Sequence, residues 1–159
     1  MMSCVSLACF AMLVNGRPTK FFKSERGLRQ GCLLFPLLFL LVIEGLSILI
    51  YEAKSMGKIS GIKVSLHQYI THIIFVDDVI IFGSDGLEEW QEISRIIQLF
   101  CVATGMKVST GKSSFLRCGI KEDNFRKILN IFPYKVECWD KRIKYLRFRL
   151  KPNNYLIKD

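Results

Sequence analysis

Ile70-Thr71-His72-Ile73-Ile74-Phe75-Val76-Asp77-Asp78-Val79-Ile80-Ile81-Phe82 sets the architecture expected of the whole chain. Two apolar runs, each about one strand long and rich in β-branched and aromatic residues, enclose a pair of adjacent aspartates. The simplest folding is a hairpin carrying both carboxylates at its tip, with Ile73, Ile74, Ile80 and Ile81 supplying the face that packs on helices. Side by side, two carboxylates repel each other and attract a hard cation, and magnesium with phosphate oxygens is the usual solution. Asp is also a favoured turn residue, so the pair taken by itself fits a solvated turn as well.

Upstream of this segment, Asn15-Gly16-Arg17-Pro18 is a turn signal, with a strand expected on each side, Phe10 to Val14 and Thr19 to Lys23. A polar loop with two glycines, Arg26 to Gly31, leads into an apolar stretch from Leu37 to about Ala53 that reads as a long buried helix. Downstream, Asp85 and Glu88 have the spacing of a capping box. Leu87, Trp90, Ile93, Ile97, Phe100 and Cys101 then recur every three or four residues, the stripe of an amphipathic helix that Gly105 ends. A further short helix is expected from about Asp123 to Phe132, stopped by Pro133.

With 159 residues, half of them hydrophobic, the chain can build one domain with a real core. A net charge of +9 favours a polyanionic partner, nucleic acid or an anionic membrane surface. The tail from Lys135 to Lys151 concentrates Lys141, Arg142 and Lys144 among Trp139, Tyr145 and Phe148. Such a mixture can hold a nucleic-acid strand by phosphate pairing and stacking, or stand as a solvated basic strand.

The six cysteines form no C-x-x-C pair, and neither His67 nor His72 completes a ligand spacing, so no zinc site is expected. In apolar company, most cysteines read as small core residues of a protein in a reducing, intracellular setting. Met1 to Val14 lacks the basic start of a secretion signal. Leu33 to Ile50 approaches membrane-spanning length, but Pro36 and Glu44 interrupt it and argue for a core helix instead.

Four separate segments then fall in an ordered pattern: Val14-Asn15-Gly16; Arg26-Gly27-Leu28-Arg29-Gln30-Gly31-Cys32 with Pro36-Leu37-Leu38-Phe39; Phe75-Val76-Asp77-Asp78; and Thr104-Gly105-Met106-Lys107-Val108 with Lys112-Ser113, followed by Tyr145-Leu146. In this order and spacing the chain resembles the reverse transcriptase of plant non-LTR (LINE-type) retrotransposons. The resemblance implies an α+β fold: an antiparallel palm-like sheet with the catalytic-type hairpin, and helices packed on one face. It implies that residues 1–159 form a partial domain, the palm and the start of the thumb.

The resemblance also assigns roles. Asp77 and Asp78 match the paired catalytic aspartates, the first a magnesium ligand and the second mainly a source of negative charge, with Phe75 and Val76 in the aromatic and small positions before them. Arg29, Gln30 and Gly31 match the segment beside the incoming nucleotide and the template, although a glycine-rich helix entry would look similar. Lys112 matches a basic position near the triphosphate, where a plain surface lysine is the other reading. The partners implied are an RNA template, a DNA primer and dNTP, with two Mg2+ ions about 4 Å apart.

The pattern also has gaps. The family's remaining metal-binding carboxylate comes from an upstream strand, yet no Asp precedes Asp77, and Glu25 and Glu44 fall in the wrong segments. The fingers, most of the thumb and any endonuclease are also unmatched. Leu33 and Phe35 replace the usual Pro and Ser, Ser109 the usual Asn, and Arg147 the Gly after Tyr-Leu. The expectation is an RNA-directed DNA polymerase fragment that is inactive alone. The alternatives are a non-catalytic basic nucleic-acid-binding remnant and a small membrane protein built on Leu33 to Ile50.

Overall fold

The structure, a computed structural model, describes residues 9–23, 34–138, 143–146 and 148–150. The chain divides into two compact units, Met1–Val42 and Ile43–Asp159.

Among its described residues the first unit contains four short strands, β1 (Cys9–Phe10), β2 (Leu13–Val14), β3 (Arg17–Pro18) and β4 (Phe22–Lys23). Asn15 and Gly16 both have positive φ, 49° and 77°, the two-residue loop that Asn-Gly favours because its twist matches that of the flanking strands. The turn is therefore two residues long, and the return strand begins at Arg17, opposite Val14, rather than at Thr19. Farther from the turn, Phe10 pairs with Phe22, their ring centroids 6.2 Å apart.

Helix α1 (Leu34–Ser55) starts in the first unit and continues into the second. In the second unit, Ile43, Leu46, Ile50 and Ala53 are buried at spacings of three and four. The expectation of a buried helix is nonetheless overturned for most of its length: Leu37, Leu40, Leu41, Ile48 and Tyr51 are exposed. An apolar stripe would have given the helix one face to bury, but α1 is apolar all round and has more apolar surface than the described residues cover. By length and composition alone it could cross a membrane.

Among the described residues, the rest of the second unit is built from short ladders and two further helices. Strands β5 (Ile62–Lys63) and β6 (Tyr69–Ile70) pair antiparallel, as do β7 (His72–Phe75) and β8 (Asp78–Ile81). Helix α2 (Leu87–Thr104) follows. Strand β9 (Ser114–Arg117), helix α3 (Glu122–Ile131) and strand β10 (Lys135–Cys138) form a crossover unit whose strands run parallel, as a helical connection permits. Strands β11 (Ile143–Tyr145) and β12 (Phe148–Leu150) close a last antiparallel pair. The α+β class holds. The single antiparallel sheet does not: among the described residues the strands form six two-stranded ladders, one of them parallel.

The core of this unit lies between α2, β9 and α3. The Trp90 ring centroid stands 5.0 Å from that of Phe115 and 5.8 Å from that of Phe132, and Phe125 packs on Phe115. On α2 the fully buried positions are Ile93 and Ile96, not Ile97, so the stripe is rotated slightly from the one expected. Gly105 ends the helix with φ of 71°. The capping box is absent: the N-cap is Gly86, one residue later, with no side-chain cap. Asp85 is drawn instead to α3, its carboxylate accepting from the Lys121 N–H at 3.3 Å and its carbonyl from Asn124 at 3.0 Å. Among the described side chains, Cys9 and Cys118 are exposed and Cys101 is half-buried, all three free, so none of these three is the core residue expected.

Candidate functional site

The acid-bearing segment is a tight hairpin. Phe75 pairs with Asp78, leaving Val76 and Asp77 as a two-residue turn. Both aspartates are exposed. Asp77 occupies the turn and Asp78 the first position of β8. Val76 has φ of 54°, a left-handed conformation that is a true outlier for a β-branched residue and marks a turn held under strain.

Side chains alternate across the ribbon, so the four isoleucines do not share one face. His72, Ile74, Val79 and Ile81 lie on one side, while Ile73, Ile80, Phe75 and Asp78 lie on the other. His72 ties the first face to α1, its Nε2 2.9 Å from the Ser47 hydroxyl and its Nδ1 3.0 Å from that of Thr71. On the second face Ile73 and Phe75 are exposed, which corrects the expectation that all four isoleucines pack on helices. Burial lowers the His72 pKa; Glu44 opposes this and Lys54 adds to it.

The base of the hairpin is closed by the Phe82 N–H donating to the Thr71 carbonyl at 2.8 Å. Immediately beyond it stands a residue that motif reading missed, Glu89, a carboxylate only 6% exposed. Its Oε1 accepts from the N–H groups of Ser60 and Gly61, at 2.9 and 3.0 Å. Its Oε2 accepts from the Ser60 hydroxyl at 3.0 Å, from the Ser84 N–H at 3.1 Å and from the Ser84 hydroxyl. Burial pushes its pKa up, but the hydrogen bonds from Ser84, Gly61 and Ser60 outweigh that and hold it below the ordinary value. A sequence signal for Glu89 did exist. It occupies the buried stripe with Ile93, Ile96 and Phe100, and a charge in such a stripe must find partners.

Of the other expected site residues, Phe75 and Val76 belong to the hairpin itself. Lys112 is exposed in the turn before β9, where its N–H donates to the Ser109 carbonyl at 3.0 Å. Among the described residues, no hydrogen bond or ion pair joins Lys112 to either aspartate. Arg29, Gln30 and Gly31, like Lys141 and Arg142, lie outside the described residues; Lys144 falls on β11.

Two exposed carboxylates on consecutive residues are hard oxygen donors, suited to Mg2+. Among the described residues no group of three or more His, Cys, Asp and Glu side chains is placed to hold a metal ion.

A family model described as reverse transcriptase (RNA-dependent DNA polymerase) matches residues 2–150. An uncharacterized mitochondrial protein of Arabidopsis thaliana is 43% identical over 67 residues, a stretch covering 42% of this chain and 55% of that protein. The match thus spans little more than half the relative's length.

Proposed function

This chain belongs to the reverse transcriptase (RNA-dependent DNA polymerase) family, and from that premise we propose that residues 1–159 are a partial palm domain with the start of a thumb, of the non-LTR (LINE-type) retrotransposon kind. In this reading Asp77 and Asp78 are its metal-binding acids. The observation that carries the reading is the exposed Asp77–Asp78 pair, one acid in a strained two-residue turn and the other just after it, inside a family match that covers nearly the whole chain.

Asp77 and Asp78 would hold Mg2+, which supplies activation of the primer 3′-oxygen and charge neutralisation at the pyrophosphate. Phe75 and Val76 would border the nucleotide and the template. Arg29, Gln30 and Gly31 would contact the nucleotide and the template, with Lys112 near the triphosphate. Lys141, Arg142 and Lys144 would pair with phosphates of an RNA template and DNA primer. The setting is intracellular. These 159 residues alone are proposed to be inactive in polymerisation, since among the described residues no third carboxylate joins Asp77 and Asp78.

Three measurements test this. Primer extension by the purified chain with Mg2+ and dNTPs is expected to yield no product, and sustained incorporation would overturn the inactivity. Mn2+ binding followed by electron paramagnetic resonance is expected to weaken at least ten-fold in Asp77→Ala; equal binding by both proteins would remove the metal-ligand assignment. Salt-sensitive binding of RNA–DNA hybrid that persists in Asp77→Ala and Asp78→Ala, without a metal effect, would instead favour the purely nucleic-acid-binding reading.

A further inference from the structure

Both feet of the Asp77–Asp78 hairpin rest on the Glu89 carboxylate. The foot that follows β8 is held directly, since the Ser84 N–H and hydroxyl both donate to Oε2. The same foot is held a second time by the next residue of α2, the Trp90 Nε1–H donating to the Ser84 carbonyl at 2.9 Å. The foot that precedes β7 is held through Gly61. The Gly61 N–H donates to Glu89 Oε1, and its α-carbon lies so close to the Ile70 carbonyl that any side chain there would overlap it. The link from Thr71 to Phe82 then joins the two feet into one base.

We propose that Glu89 is a positioning residue, a buried anchor at the N-terminal end of α2 that sets the orientation of the hairpin and thereby the placement of Asp77 and Asp78. The proposal rests on the reading of those aspartates as metal ligands.

Leverage makes this consequential. From Ser84 to Asp78 the strand extends roughly 20 Å at about 3.3 Å per residue. A tilt of about 10° at the base would carry the tip about 3 Å, whereas a working site tolerates roughly 0.5 Å. A buried carboxylate is an expensive way to fill space, and apolar packing of the same volume is often as stable. Five donors from two separate loops converging on one group fix a geometry that apolar contacts, being non-directional, would leave free to slide.

Amide hydrogen exchange on the full chain tests the inference without relying on metal. Glu89→Gln removes the charge and turns an NH2 group toward donors. The expected result is exchange at least ten-fold faster across β7 and β8, with α3 and β9 changed by much less. Unchanged exchange in the hairpin, or the same acceleration in every element, would overturn it. Should Glu89→Gln fail to fold, Ser84→Ala, which removes only the hydroxyl donor, is read by the same criterion.

Mn2+ affinity adds the readout that a merely structural role would leave unmoved. A folded Glu89→Gln protein is expected to bind Mn2+ several-fold more weakly. Undiminished binding in that variant, with binding still lost in Asp77→Ala, would sink the positioning role while sparing the metal assignment. Binding insensitive to Asp77→Ala sinks the metal assignment, and exchange alone then decides what Glu89 orients.

Discussion

Gly83 lies flat against the indole of Trp90: a β-carbon added to it would stand 2.8 Å from Cζ2 and 2.9 Å from Cε2. The ring cannot retreat, because Trp90 is buried against Phe115 and Phe132 and its Nε1–H is committed to the Ser84 carbonyl. Gly83→Ala is therefore an overpacking substitution, expected to cost about 1–3 kcal/mol. Urea unfolding monitored by tryptophan fluorescence checks it. A midpoint equal to that of the parent protein would mean that the contact between the hairpin foot and α2 is looser than the structure shows.

His72 couples the hairpin to α1 in its neutral form. Burial lowers its pKa from 6.5, so the unfolded chain binds the proton more readily than the folded one. Stability is then fully present above about pH 6.5 and declines as pH falls through that value toward the lower folded pKa. The groups that bear on it are Glu44 and Lys54, with the hydroxyls of Ser47 and Thr71 in direct contact. His72→Gln is expected to flatten the urea midpoint between pH 7 and 5, and an undiminished slope would assign the titration elsewhere. Ser47→Ala, which removes the Nε2 partner, is expected to cost about 0.5–1.5 kcal/mol at pH 7.

A second acid window opens lower. The Arg95 guanidinium grips Glu92 through two hydrogen bonds, 2.7 and 2.9 Å, and Lys58 adds a third at 3.3 Å. Burial opposes them, but the pKa of Glu92 falls from 4.5 to about 2. With the folded value depressed, the stabilisation is present above about pH 4.5 and is lost as pH falls toward 2. Glu89 acts in the same direction. Since Arg95 and Lys58 are half exposed, the Glu92 share is expected to stay below about 1 kcal/mol and to shrink in salt. The difference in urea midpoint between parent and Glu92→Gln, followed from pH 5 to 2.5, should close as pH drops. A constant gap would exclude the ion pairs as its source.

What could be read in the sequence followed from local physics. The Asn15-Gly16 turn, the Gly105 end of α2 and the α3 helix before Pro133 are each fixed by one or two residues acting on their own backbone. The alternating β-branched runs around Asp77 likewise imply a hairpin because strand period and turn agree. What the sequence hid depends on distant partners. Asp85 looks like an N-cap until α3 arrives to claim it. Glu89 stands on the apolar stripe of α2, which hints at burial, but the partners that satisfy it, Ser60 and Gly61, lie 29 and 28 residues away. The exposure of α1 was equally hidden, since an apolar pattern states what a helix would bury and not what is there to cover it.

Val76 supplies a test in which relief of strain should be visible. Its φ of 54° places a β-branched side chain where few residues but glycine sit without penalty, at a cost on the order of 1–3 kcal/mol. Val76→Gly removes that cost but gives the unfolded chain more freedom, worth about 0.5–1 kcal/mol in the opposite sense. Nearly half exposed, Val76 forfeits little packing when truncated. The balance favours the glycine variant by about 1 kcal/mol, seen as a higher urea midpoint with unchanged slope. A lower midpoint would mean that the Val76 side chain stabilises the turn by more than its backbone conformation costs, and the turn would then not be a strained one.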